Sequence, residues 1–277
     1  MIFRKRTIPD EEIMTLKEQR SMLGDQLNFA AAEAYKLLRA NLTFSLPDEQ
    51  KCRVVGVTSA VRGEGKSTTS INLAYTLAET GKRVLLVEPD MRRPQLAHRL
   101  AIDAAPGLSN LLAGLCREKD VVQDVGLLEN MKVITSGDVP PNPSELLGSE
   151  RMSTVVETLA QSFDFIIFDL PPVNAVSDGL VVSRFIQGMI VVVRQDYSDR
   201  QGLSAALRQL EYMHIKVLGF VMTHSSISGG RYGRYGRYGR YGRYGQYGRY
   251  ESESRETGAD QERARKTGSA KSRKSKR

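Results

Sequence analysis

The 277-residue chain has a formal net charge of +8 and 40% hydrophobic residues, proportions that suit one folded α/β domain with tails. The excess positive charge is all C-terminal: residues 231–277 hold 15 Lys and Arg against 5 Asp and Glu, leaving 25 basic and 27 acidic residues before them. A near-neutral body is not a nucleic-acid-binding domain by charge, no apolar run approaches the ~20 residues of a membrane helix, and Cys52 and Cys116 form no disulfide or metal pattern.

The first six residues, Met1-Ile2-Phe3-Arg4-Lys5-Arg6, lack the apolar stretch of a signal peptide, so a cytoplasmic location is expected. Residues 1–24 are charged, with Ile13, Leu16 and Leu23 able to line one helical face. Residues 25–48 predict a helix with apolar positions Ala34, Leu37, Leu38 and Leu42, stopped near Pro47. From 51 to 224, β-branched runs at 53–58, 84–88, 131–134, 165–169, 189–193 and 217–222 alternate with helical patterns. Continuous apolar strands separated by helices predict an α/β fold: a doubly wound, mostly parallel sheet covered by helices on both faces. Beyond 225 no apolar periodicity remains, and a disordered tail is expected.

The first strand runs into Ala60-Val61-Arg62-Gly63-Glu64-Gly65-Lys66-Ser67-Thr68, and a helical pattern follows through Ile71, Leu73, Ala74, Leu77 and Ala78. Strand, Gly-Lys-Ser loop and helix together form a phosphate cradle. Gly63 and Gly65 let backbone N–H groups converge on phosphate oxygens, and the helix N-terminus adds partial positive charge. Lys66 is placed to reach the β- and γ-phosphates and Ser67 to sit on Mg²⁺, so residues 62–68 (Arg62, Gly63, Glu64, Gly65, Lys66, Ser67 and Thr68) are the candidate nucleotide-binding set. The usual first glycine of this pattern is Ala60 here.

Two later strands end in acids: Val87 is followed by Glu88-Pro89-Asp90-Met91-Arg92, and Phe168 by Asp169-Leu170-Pro171-Pro172. Open α/β sheets gather ligands at the carboxyl ends of parallel strands, so Glu88, Asp90 and Asp169 are expected beside Lys66 and Ser67. Lys66, Glu88, Asp90 and Asp169 are the candidate catalytic residues. Ser67, Asp90 and Asp169 are the candidate metal-organising ones. His98, His214 and His224 show no metal spacing.

The tail repeats Arg-Tyr-Gly, placing Tyr232, Tyr235, Tyr238, Tyr241, Tyr244, Tyr247 and Tyr250 at three-residue intervals, seven of the chain's eleven tyrosines. Tyrosines on a cationic, glycine-rich segment suit a kinase acceptor, and each phosphate would add about −1.5 to −2 charges. The same composition suits an RNA-binding low-complexity tract or an inert solvated tail. The basic run at 271–277 suits attraction to acidic lipid.

These motifs resemble those of the bacterial tyrosine kinases (BY-kinases) of capsule and exopolysaccharide systems: the loop at 60–67, the acidic motif at 88–92, the D-x-P-P motif at 169–172 and the C-terminal tyrosines. The resemblance covers about residues 30–250. Partition-type ATPases, similar in fold, carry a signature lysine where this chain has Val61, which favours the kinase branch. Glu33, Lys36 and Arg39 resemble the family's E-x-x-R-x-x-R self-association motif, with Lys36 replacing its first arginine. Glu88 stands where the family has aspartate, and Thr223 near where it has an adenine-contacting asparagine.

The resemblance implies an ATP- and Mg²⁺-dependent tyrosine kinase in which Glu88 is the base for the incoming hydroxyl. It also implies a ring-like homo-oligomer with each tail in a neighbour's site, a membrane-spanning co-polymerase that activates the kinase and recruits it to the inner face of the membrane, and a cognate phosphatase. No specific nucleic acid is expected. The organisation expected is an N-terminal helical segment at 1–48, a P-loop kinase domain at 49–228, the tyrosine cluster at 229–250 and a basic tail at 251–277. Two rival readings stay open: a partition-type ATPase switch without kinase activity, and a nucleotide-binding pseudokinase scaffold whose tail binds RNA or membrane.

Overall fold

The computed structural model describes residues 22–46 and 51–225, all within one compact unit, Met1–Ser225. Among the described residues, seven strands form one sheet: β1 (Arg53–Ser59), β2 (Val84–Val87), β3 (Gln123–Asp124), β4 (Met131–Ile134), β5 (Phe165–Asp169), β6 (Gly188–Arg194) and β7 (Val217–Thr223). Their spatial order is β3-β4-β2-β5-β1-β6-β7, with every pairing parallel except β3 with β4. The helices, in chain order, are α1 (Phe29–Ser45), α2 (Lys66–Ala78), α3 (Leu96–Leu100), α4 (Leu108–Leu112), α5 (Glu118–Val121), α6 (Pro143–Leu147), α7 (Glu150–Ser162), α8 (Asp178–Val182) and α9 (Arg200–Tyr212). No helix among the described residues is long and apolar enough to cross a membrane.

Alternation along the strands builds two cores. Val54, Leu85, Val87, Ile166, Phe168, Met189 and Val191 face α4, α7 and α9, joining Leu108, Leu111, Met152, Val155, Leu159, Ala206 and Leu210. Val55, Val57, Val84, Leu86, Phe165, Ile167, Ile190 and Val192 face α1 and α2, joining Leu42, Ile71, Leu73, Ala74 and Leu77. Central strands apolar on both faces are what helices on both sides of a parallel sheet require, and each such side chain buried contributes roughly 1.5–3 kcal/mol. The doubly wound fold expected from the sequence is therefore the one observed.

The helix expected over 25–48 is shorter. Gly24–Gln26 form a 3₁₀ turn, and α1 begins only at Phe29 because the Asn28 side chain accepts from Ala31 N (2.9 Å) and caps it there. Met22 and Gly24 dock on α2 through buried Asn72, whose side chain accepts from Gly24 N and donates to Met22 O (both 2.9 Å). Ile13, Leu16, Pro47 and all seven tail tyrosines lie outside the described residues.

β1 lies between β5 and β6. The chain leaves β1 through α2 toward β2 on one side and reaches β6 on the other, so the carboxyl end of β1 is a topological switch point. Register places Asp169 opposite Val57 and Phe168 opposite Val87, which brings the ends of β1, β5 and β2 together.

Candidate nucleotide and phosphoryl-transfer site

The loop between β1 and α2 is fixed at both ends, by a strand buried along six of its seven residues and by a helix whose Ser67, Thr69, Ser70, Ile71, Asn72, Leu73 and Ala74 are all buried. Gly63 (φ +80°) and Gly65 (φ +95°) adopt left-handed backbone, the conformation that turns successive N–H groups toward a common centre. Gly65 caps the N-terminus of α2. Ala60, by contrast, is not among the residues with left-handed backbone, and its methyl packs in the core at 2% exposure. A side chain is accommodated there, which explains how alanine replaces the usual glycine.

Lys66 Nζ lies 3.7 Å from Asp169 Oδ1 and 3.4 Å from Ser67 Oγ. The Ser70 hydroxyl sits 3.1 Å from Asp169 Oδ1 and 3.0 Å from the Lys66 carbonyl, tying the end of β5 to the first turn of α2. Asp169 is fully buried, yet its Oδ2 has no hydrogen-bond partner. Glu88 Oε2, also buried, has none either. Buried polar atoms are almost always paired, so two orphaned carboxylate oxygens beside a phosphate loop point to a ligand shell.

Glu88 follows β2 directly, and its N–H donates to Ile134 O (3.0 Å). Its Oε1 accepts from the backbone N–H groups of Gln95 and Leu96, the latter at 2.9 Å, at the N-terminus of α3. Burial pushes the Glu88 carboxyl up to about 7, with the nearby Asp169 charge adding to the effect, against the pull of the two N–H donors and Lys66. Burial also raises Asp90, opposed by Lys66 and by the Arg93 N–H that donates to its Oδ1 (3.0 Å). Arg62 is exposed, and its charge reaches Asp90. Asp169 thus pairs with Lys66, and Glu88 and Asp90 both lie within reach of the Lys66 and Asp169 charges.

Among the described residues no three carboxylate, His or Cys side chains lie close enough to hold an ion alone. Mg²⁺ in phosphoryl-transfer sites needs only one or two carboxylates besides nucleotide phosphates and water. The hard oxygens of Ser67, Asp90 and Asp169, with Asp169 Oδ2 orphaned, fit that donor set.

The candidate self-association residues do not all face outward. Lys36 Nζ and Glu33 Oε1 form a 2.8 Å pair on the surface. Arg39 turns inward, donating from Nη1 to Thr76 O and lying 3.8 Å from Glu79 Oε2 on the α2 side. Thr223 donates from Oγ1 to Glu64 O (2.7 Å) and so contacts the phosphate loop.

Sequence reasoning missed Ser70, Asp178, Arg194 and Ser198. Arg92, seen only as part of a motif, donates to buried Asp178, which also accepts from the Ser144 hydroxyl. Arg194 and Ser198 follow β6, and the rule that ligands gather at strand carboxyl ends was the signal available for them.

The AAA domain family model matches residues 52–218. The chain is 34% identical over 71% of its length to tyrosine-protein kinase YwqD of Bacillus subtilis, covering 82% of that protein. It is 35% identical over 73% of its length to tyrosine-protein kinase CpsD of Streptococcus pneumoniae, covering 88% of it. Among solved structures, the kinase domain of Escherichia coli tyrosine kinase ETK is similar with a TM-score of 0.68 and 29% identity, covering 83% of this chain and 87% of that one.

Proposed function

The chain belongs to the bacterial tyrosine-kinase family, and from that premise we propose that it transfers the γ-phosphoryl group of ATP to tyrosine hydroxyls, its own tail tyrosines first among them. The observation that carries this reading is the cluster around Lys66: its Nζ 3.7 Å from Asp169 Oδ1, with Asp169 Oδ2 and Glu88 Oε2 buried and unpaired beside it. Lys66 and the loop N–H groups stabilise charge on the transferring group. Ser67, Asp90 and Asp169 would hold Mg²⁺, which would supply charge neutralisation for the phosphates. Glu88, held near 7, takes the proton from the tyrosine hydroxyl. The phenolic oxygen bonds to the γ-phosphorus, the bond to the bridging oxygen breaks, and ADP leaves.

Tyr232, Tyr235, Tyr238, Tyr241, Tyr244, Tyr247 and Tyr250 are the proposed acceptors, presented to a neighbouring subunit in a ring to which Glu33 and Lys36 contribute. Family membership supports a role in controlling capsule or exopolysaccharide polymerisation and export from the cytoplasmic face of the membrane, with a separate membrane-spanning activator and a phosphatase that resets the tail.

One observation favours a second reading, an ATPase switch. Glu88 Oε1 already accepts from two backbone N–H groups, which anchors the carboxylate as a helix cap. Parallel assays of phosphate release and phosphotyrosine formation separate the two. Phosphotyrosine that depends on Lys66 supports the kinase, and phosphate release with no phosphotyrosine supports the switch.

A further inference from the structure

Glu64 has the wrong charge for its place. It lies within a loop that must receive phosphate, and it is fully buried. Both carboxylate oxygens are nonetheless engaged: Oε2 accepts from Val61 N (2.9 Å) across the loop, and Oε1 accepts from the Ser198 hydroxyl. A loop whose N–H groups converge inward also leaves its carbonyls facing outward in need of donors. Two are supplied from paired strand ends. Arg194 Nη1 donates to Gly63 O (3.1 Å) and Thr223 Oγ1 to Glu64 O (2.7 Å), and Arg194 and Thr223 are register partners at the ends of β6 and β7.

The 194–198 turn is built for this contact. Asp196 adopts left-handed backbone (φ +57°), and the turn closes with Arg194 N donating to Ser198 Oγ (2.7 Å) and Ser198 N to Arg194 O (3.0 Å). The Arg194 guanidinium stacks 4.8 Å over the Tyr197 ring. The Tyr197 hydroxyl lies 3.1 Å from where a Gly63 Cβ would stand, and Thr223 Cγ2 lies 3.2 Å from that of Gly65. Both glycines of the cradle are therefore backed by side chains, Gly63 from the turn after β6 and Gly65 from the end of β7.

We propose that Arg194, Ser198 and Thr223 are positioning residues that hold the phosphate loop in its phosphate-binding shape through Gly63 and Glu64, so that Thr223 sets affinity for phosphate and does not read the base. The inference rests on the nucleotide-binding part of the proposed function and not on phosphoryl transfer.

The test uses full-length protein with Mg²⁺ and two probes: ADP, and base-free pyrophosphate measured by displacement of a fluorescent ADP. T223V keeps the shape of the side chain and removes its donor. It is expected to weaken both probes about 5-fold, the effect of one lost hydrogen bond, with an unchanged melting temperature, while T223S stays within about twofold of wild type. S198A, which removes the donor to Glu64 Oε1 and leaves Oε2 on Val61 N, is expected to weaken both probes in the same way. T223V that weakens ADP alone, T223S as weak as T223V, or either loss-of-donor variant binding like wild type overturns the inference. A wild type that binds neither probe contradicts the proposed function itself.

Discussion

Arg92 Nε donates to Asp178 Oδ2 over 2.7 Å, tying the acidic loop after β2 to the N-terminus of α8. Asp178 is fully buried, and its other oxygen accepts from the Ser144 hydroxyl and from Arg92 Nη2 (3.4 Å). Arg92 lies two residues from Asp90, whose Oδ1 accepts from Arg93 N (3.0 Å), so the pair anchors the backbone that carries this carboxylate. Removing the arginine leaves a buried charge without its cation. Arg92→Ala is expected to lower the melting temperature and to cut kcat by about 10- to 100-fold through displacement of Asp90. Thermal denaturation and single-turnover transfer check this, and an unchanged kcat with a lowered melting temperature would show the pair to be structural only.

Glu88 predicts a pH signature. Its folded carboxyl is raised to about 7 from 4.5, chiefly by burial. The stability it contributes is therefore complete below about 4.5 and is lost as pH rises through about 7, a difference on the order of 3 kcal/mol. Glu88→Gln cannot ionise and still accepts from Gln95 and Leu96. It is expected to melt higher than wild type at pH 8 and level with it at pH 5. Its phosphoryl transfer is expected to fall, and to lose the rise through pH 7 that a general base gives wild type.

Gly65→Ala tests the cradle. At φ +95° an L side chain is strained, and its methyl would sit 3.2 Å from Thr223 Cγ2. Equilibrium binding is expected to show ADP affinity lowered by about 10-fold or more, since strain and crowding of 1–2 kcal/mol fall directly on the bound shape. Ala60→Gly, where the backbone needs no such freedom, is expected to leave affinity within about twofold.

The α1 residues divide by direction. Arg39→Ala is expected to lower the melting temperature, because its guanidinium joins α1 to Thr76 and Glu79. Glu33→Lys is expected to leave the melting temperature unchanged and to reduce self-association, since Glu33 and Lys36 pair on the surface. Light scattering beside thermal denaturation separates the two effects.

Sequence reading succeeded where burial is two-sided. The apolar runs at 53–58, 84–88, 131–134, 165–169 and 189–193 each correspond to a strand, because inner parallel strands are apolar throughout, and the run at 217–222 corresponds to β7, a partly buried edge strand recognised by its β-branched and aromatic residues. It missed β3, whose Gln123 and Asp124 are a two-residue polar edge with no periodicity to detect. It placed the start of α1 too early, because Asn28 looks like any polar residue until its side chain is seen on Ala31 N. The motif-bearing part of the candidate site, the loop at 60–67 and the acids at 88, 90 and 169, was legible because each stretch carries a recognisable local pattern at a strand end. Arg194 and Ser198 were not, being 131 and 134 residues from their partners Gly63 and Glu64. Only the sheet order, which sets β6 beside β1, joins them.

The central claim is transfer to tyrosine, and phosphate mapping tests it most directly. Full-length protein and Lys66→Met are incubated with γ-labelled ATP and Mg²⁺, with and without the cytoplasmic segment of the activator, and phosphate is located by mass spectrometry. Phosphotyrosine between 232 and 250 in wild type, absent from Lys66→Met, is the result expected. No Lys66-dependent phosphotyrosine in that segment under either condition would contradict it.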